Sequence, residues 1–279
     1  MKYVVLPAGL HPTTYYHEMH VGYVAGMLVD AGVCVEYIGE SSDDLYGNCV
    51  YPIIIDGERC WFDYSDFIDT ALLALEDRPS FKYSFRPLPK GNKRRIYPFP
   101  HPSVCDWRAF RDAQASVRYR AEGFVIASHG LSCSPKARAR RQGLMNMVQS
   151  LYSKRALVHR ASSQSQFWSW VSGALVAVLL PGSADNLPTR AVHQYLGLGC
   201  CVISPRLMNI MPFYKEWVPG VHYLMCNQDL SDVPALIQWC EQNPEKAIQI
   251  GMNAKGVFDD FLTPRATVKW MVQCLKGRA

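Results

Sequence analysis

The residues best suited to chemistry lie between Ala174 and Ile203, in the stretch ALVAVLLPGSADNLPTRAVHQYLGLGCCVI. An apolar run, Ala174–Leu180, reads as a buried strand stopped by Pro181-Gly182. Ser183–Pro188 is a polar loop, and Thr189 is placed to cap a helix opening at Arg190. Gly197 and Gly199 close that helix, and Cys200–Ile203 reads as a second buried strand. Strand, loop, helix and strand within about thirty residues make a parallel βαβ unit. Ligands of such sheets sit beyond the carboxyl ends of the strands, against helix N-termini. That place holds Gly182, Ser183, Asp185, Asn186, Thr189 and Arg190, a set suited to an anion. The same pattern with Arg190 on a solvated helix face would be an ordinary α/β unit.

The stretch resembles the donor-binding unit of GT-B-fold glycosyltransferases. The shared pattern is a Pro-Gly turn, a polar loop, then Thr189-Arg190, Gln194, Leu196 and Gly199 before a strand. The resemblance implies two Rossmann-like α/β domains facing across a cleft, with a C-terminal helix crossing back to the N-terminal domain. It implies transfer of a sugar from a nucleotide-diphosphate sugar, with UDP or GDP preferred. Neither a cofactor nor a metal is implied, and the chain has no D-x-D motif. Many relatives carry Glu at the position of Gln194, where it holds the ribose; retaining members carry another at the position of Asn186. Both are amides here, and an amide still hydrogen-bonds a ribose.

Other groups fall into place around that unit. Phe124–Ser128 reads as a strand, followed by His129-Gly130, small residues, and a basic helix with Lys136, Arg138, Arg140 and Arg141. A cationic helix start after a small-residue loop suits a diphosphate, and a solvated basic face is the alternative. The resemblance gives donor contacts to His129, Gly130, Arg138 and Arg141, and the nucleobase edge to Arg160 after the strand Ala156–Val158.

For the acceptor side, Asp63 and Asp66 end a D-G hairpin of Tyr51–Ile55 and Arg59–Asp63. A carboxylate there suits a general base, or a cap for a helix Phe67–Leu75. His11, in the first loop, is a further base candidate, with His17 behind it. His17-Glu18-Met19-His20 lacks the four-residue histidine spacing of H-E-x-x-H and reads as helix surface. Lys82 and Arg86, in the alternating Phe81–Arg86, face a phosphate, an acceptor or solvent at a strand edge. Pro87–Pro102 reads as one irregular loop.

The scaffold follows from the rest. Lys2–Leu6, a helix Tyr15–Asp30 and Val33–Ile38 form an opening strand–helix–strand, in which Gly22, Ala25 and Gly26 let the helix lie close to a sheet. Asp106–Arg120 is helical in pattern. The order D-L-S-D, N-P-E and a final Thr263-Pro264 helix ending near Leu275 strengthens the resemblance, which covers Val125–Leu275 best. The domains are placed at 1–122 for the acceptor side, 123–262 for the nucleotide sugar, and 263–279 for the crossover helix.

At 279 residues the chain suits two modest domains, and 49% hydrophobic residues suffice for their cores. The net charge of +5 favours anionic ligands without demanding nucleic acid. The 10 cysteines have no zinc spacing and read as buried thiols in a reducing, cytoplasmic setting. No apolar run is long enough for a signal peptide or a membrane span. The partners expected are a nucleotide sugar and a carbohydrate or nucleic-acid acceptor. The net charge and the basic segments Lys90–Arg95 and Lys136–Arg141 are the support for a modified DNA base as the alternative to a glycan acceptor. A nucleotide-sugar epimerase and a non-catalytic nucleotide-sugar-binding protein are the alternative functions.

Overall fold

A computed structural model describes residues 2–7, 15–38, 50–63, 79–82, 95–100, 104, 106–116, 125–127, 135–158, 163–179, 190–207 and 217–277. The chain divides into two compact units. The first is Met1–Trp107 with Ile210–Pro212 and Phe261–Ala279; the second is Arg108–Asn209 with Phe213–Asp260.

The first unit holds a mixed six-stranded sheet in the order β2-β1-β3-β4-β5-β6. Its strands are β1 (Tyr3–Pro7), β2 (Cys34–Ile38), β3 (Val50–Ile55), β4 (Glu58–Asp63), β5 (Ser80–Lys82) and β6 (Ile96–Pro98). Helix α1 (Tyr15–Asp30) links β1 to its parallel neighbour β2. Gly32 ends α1 at φ 80°, with Val33 N–H bonded to Leu28 O and Gly32 N–H to Val29 O, a Schellman turn that needs the left-handed residue. Asp56 and Gly57 turn β3 into β4 at φ 48° and 89°, the two positive values of a type I′ hairpin. The Asp56 carboxylate also accepts the N–H groups of Lys2 and Tyr3, at 2.8 and 2.9 Å, and so ties the hairpin to β1.

Val21, Val24, Leu28, Ile53, Phe62 and Phe81 build the first core, and α8 (Pro264–Leu275) adds Met271 and Cys274 to it. The last helix thus belongs to the first unit. Thr263 caps it, its hydroxyl accepting the N–H of Ala266 at 3.4 Å. Gly22 does not draw α1 onto the sheet as expected: it is exposed, with nothing within 4 Å of where a Cβ would stand. Ala25 enters the core. A second correction concerns the segment read as one loop from Pro87 to Pro102. Ile96–Pro98 forms β6, parallel to β5, and its proline sits on the edge strand, where a missing N–H is tolerated.

The second unit holds a five-stranded parallel sheet in the order β11-β10-β9-β7-β8. Its strands are β7 (Val125–Ile126), β8 (Ala156–Leu157), β9 (Val176–Val178), β10 (Cys201–Ser204) and β11 (Leu224–Met225). Its helices are α2 (Trp107–Ala115), α3 (Pro135–Tyr152), α4 (Gln164–Val171), α5 (Arg190–Gly197), α6 (Val233–Gln242) and α7 (Pro244–Phe261). One core joins Leu144 and Val148 of α3, Val176 and Val178 of β9, Ile203 of β10, and Ile237 and Cys240 of α6. The sequence placed α2 before a boundary at residue 122, whereas from Arg108 onward the chain groups with the second unit. The reason is Phe110, whose ring meets Trp168 edge-on at 5.2 Å and Phe258 at 5.8 Å. No helix among the described residues is long and apolar enough to cross a membrane.

Candidate functional site

The second sheet reverses its strand order beside β7. The chain moves from β7 outward to β8, then returns to β9 on the other side of β7. The carboxyl ends of β7 and β9 are therefore neighbours at a switch point, where open α/β sheets leave a crevice. The segment 128–134 leaves β7 and leads to α3; the segment 180–189 leaves β9 and leads to α5. Two helices thus follow in the chain from the two strand ends at that point, and a helix N-terminus favours an anion.

Helix α5 is fixed at its far end by backbone geometry. Gly199 lies at φ 71°; Cys200 N–H bonds to Tyr195 O and Gly199 N–H to Leu196 O, again a Schellman turn. A Cβ on Gly197 would stand 2.9 Å from the ring tips of Phe110 and Phe258. A Cβ on Gly251 of α7 would stand 2.1 Å from the carbonyl oxygen of Gly199. Backbone meets backbone there, so α7 sits directly against the turn that launches β10. Parallel pairing of Cys201, Val202 and Ile203 with Val176, Ala177 and Val178 completes the βαβ unit.

Of the donor-side candidates, Gln194 is buried on α5, and its Oε1 accepts the indole N–H of Trp168 at 2.6 Å. That contact was not read from the sequence; the signal available was a tryptophan in the short helix just before β9. Arg138 is exposed and Arg141 half-buried on the first turns of α3. Arg140, between them in the sequence, donates to the carbonyl oxygen of Gln228 and is committed to the turn before α6. Arg190 is the first residue of α5. His129, Gly130, Arg160, Gly182, Ser183, Asp185, Asn186 and Thr189 lie outside the described residues.

On the first unit, Asp63 and Lys82 are register partners at the ends of the parallel strands β4 and β5. Their side chains form an ion pair and both residues are buried. Lys82 is thus not at a solvated strand edge, because β6 covers the outer side of β5. Trp61, on the same face of β4 as Asp63, is buried too, with Arg59 over its ring at 5.4 Å. Asp66, His11 and Arg86 lie outside the described residues, as does the expected helix Phe67–Leu75. His17 lies on α1.

Among the described cysteines Cys34 is exposed and the others are buried, where thiol chemistry is disfavoured. Burial pushes the thiols of Cys60, Cys226 and Cys274 up to about 12, which keeps them protonated and unreactive. Cys201 is raised by its hydrogen bond with Cys240 and by burial. No group of three or more potential metal ligands occurs among the described residues.

No protein-family model matches the chain. The uncharacterized protein 179R of Invertebrate iridescent virus 6 is 29% identical over 83 residues, 27% of this chain. The chain spans only 7% of that protein's length. A glycosyltransferase from Rickettsia africae ESF-5 superposes on 99% of this chain and 98% of its own, with a TM-score of 0.55 and 10% identity. Sucrose-phosphate synthase from Thermosynechococcus elongatus aligns with 66% of this chain and 53% of its own, with a TM-score of 0.45 and 16% identity. The architecture of this chain, two α/β units with the last helix returned to the first, is the GT-B-type fold of glycosyltransferases.

Proposed function

We propose that the chain transfers a sugar from a nucleoside-diphosphate sugar to a hydroxyl of an acceptor, without a bound metal. One observation supports the reading: β7 and β9 are adjacent parallel strands at the reversal of the second sheet, and α3 and α5 are the helices that come next after them in the chain. The likeness to a solved glycosyltransferase adds the fold and nothing about substrate.

In this reading the N-terminal turns of α3 and α5, with Arg138, Arg141, Thr189 and Arg190, hold the diphosphate. They balance the charge that develops as it leaves, the work a metal does elsewhere. Gly182, Ser183, Asp185 and Asn186 line the same place, Gln194 meets the ribose, and Arg160 meets the nucleobase. The acceptor oxygen attacks the anomeric carbon, the bond from that carbon to the phosphate oxygen breaks, and a base takes the acceptor proton. Asp66 is the first choice for the base and His11 the second. Asp63 ranks below them because its carboxylate is buried against Lys82. The acceptor is a carbohydrate or a modified base in DNA, and the setting is reducing and cytoplasmic, in keeping with the buried free thiols.

Calorimetry with UDP and GDP in excess chelator tests the donor half. Binding of one of them is expected, and binding that vanishes with chelator would sink the metal-free mechanism. For the catalytic half, Asp66→Asn should keep nucleotide affinity and lower turnover by about 10²–10⁴-fold. Nucleotide-sugar binding with neither transfer nor epimerised product would instead identify a binding protein.

A further inference from the structure

Two hydroxyls of the second unit are buried and find no hydrogen-bond partner among the described residues, Tyr195 Oη and Ser204 Oγ. Tyr195 is packed on α5 against the ring of Phe167, at 5.4 Å. Ser204 is different, because it stands at the end of a strand. It is the last residue of β10, its exposure is 0%, and its carbonyl is already used by the N–H of Cys226 at 3.0 Å.

Strand alternation fixes the side of the sheet on which the Ser204 hydroxyl stands. Cys201 and Ile203 join the core built with α3 and α6, so Val202 and Ser204 turn to the opposite face. Helix α5 packs against β10, and none of its residues enters that core. It begins at Arg190, after the segment leaving the carboxyl end of β9, the strand next to β10. The first turn of α5 and the hydroxyl of Ser204 therefore share one face and one edge of the sheet. Met225, the register partner of Ser204 on β11, is 48% exposed, so solvent reaches this face one strand away from the buried Ser204.

A buried hydroxyl left without a partner is a standing cost to the unliganded protein. A helix N-terminus at the same place supplies N–H donors and a favourable dipole for an anion. We infer that Ser204 is a phosphate-binding residue, its hydroxyl donating to a phosphoryl oxygen held at the first turn of α5. The inference rests on the nucleotide-sugar reading of this unit and adds to it a contact from a strand that carries none of the groups named above.

Ser204→Ala tests it, with UDP, GDP and inorganic pyrophosphate titrated by calorimetry and the ligand-free protein melted in parallel. Affinity for pyrophosphate and for the preferred nucleotide should fall together by about ten- to a hundredfold. The ligand-free melting temperature should hold or rise, since the substitution removes an unsatisfied group. Val202→Ala, on the same face of β10, should lower the melting temperature and leave affinity intact. Unchanged affinities in Ser204→Ala would overturn the inference alone. So would a loss confined to the nucleotides, or an equal loss in Val202→Ala. A wild type that binds none of the three ligands would overturn the donor-site reading, and this inference with it.

Discussion

The indole N–H of Trp168 donates to Oε1 of Gln194 across 2.6 Å, joining α4 to α5 inside the second unit. An indole nitrogen only donates, so the contact fixes which end of the amide faces the tryptophan. The donor-side candidate Gln194 is thereby held in one orientation. Trp168→Phe removes this donor from Oε1 and should cost about 1–3 kcal/mol, more with the lost ring volume. Urea denaturation of the variant against wild type measures it. Equal midpoints would mean that the bond contributes nothing in solution.

Asp63 and Lys82 are a buried ion pair, and each protects the other from an uncompensated charge. Lys82→Met should destabilise the protein by about 3–5 kcal/mol, and Asp63→Asn by a similar amount. The double variant should recover much of that loss, because it buries no charge. A double-mutant cycle in denaturant checks this, and strict additivity would rule out the coupling.

Gly251 admits no side chain. Its Cβ would meet the carbonyl of Gly199 at 2.1 Å and the backbone of Cys200 at 3.0 Å, and neither is the tip of a flexible group. Gly251→Ala should destabilise by about 1–3 kcal/mol or more through the forced shift of α7, despite alanine's better helix propensity. Gly256→Ala on the same helix has open space, and the propensity gain should make it neutral or stabilising. Thermal melts of the pair give opposite signs if the close approach is real.

Arg190 opens α5, where a cation opposes the helix dipole unless an anion meets it. A guanidinium grips a phosphate through two hydrogen bonds, which a lysine does not reproduce. Arg190→Lys should weaken nucleotide binding by about ten- to a hundredfold and leave the ligand-free melting temperature unchanged. A lowered melting point with full affinity would make the residue structural.

Stability should also fall in acid through Asp56. Burial works against its charged form, but the N–H groups of Lys2 and Tyr3 outweigh it and hold the carboxyl below its ordinary value. With the folded value below the unfolded one, this contribution is complete above the unfolded value and is lost as pH falls through the folded one. Asp56→Asn tolerates the turn at φ 48° but keeps no charge, so the stability of the variant should vary less below about pH 4. Denaturant midpoints between neutral pH and about pH 2 follow the difference, and parallel curves for the two proteins would contradict it.

The βαβ unit was legible because several local signals agreed there. The apolar run contains β9, α5 opens at Arg190, and Gly199 at φ 71° ends it, all where local sequence signals mark them. Asp56-Gly57 was legible for the same reason. Lys82 was not, since a charged residue in alternation reads as solvated until a third strand is known to cover it. That strand, Ile96–Pro98, is three residues long and includes a proline, so only tertiary pairing makes it a strand. Gly251 was seen only as a helix residue, because its meaning lies in a backbone more than fifty positions away. Ser204 followed four strand residues in sequence and carried no motif. Its significance comes from burial and from the first turn of α5.

The helix α8 gives the chain an order of maturation. Met271 and Cys274 are both 0% exposed in the core built by Val24, Leu28, Phe62 and Phe81. The ribosome makes that core's other walls before α8. The second unit has all its residues by Asp260, whereas the first cannot close until α8 has emerged. Of the two units, the one begun first is thus the one completed second, and its apolar face stays open until Pro264–Leu275 has been made. A nascent chain stalled before residue 264 would present that face to chaperones while its second unit was already folded.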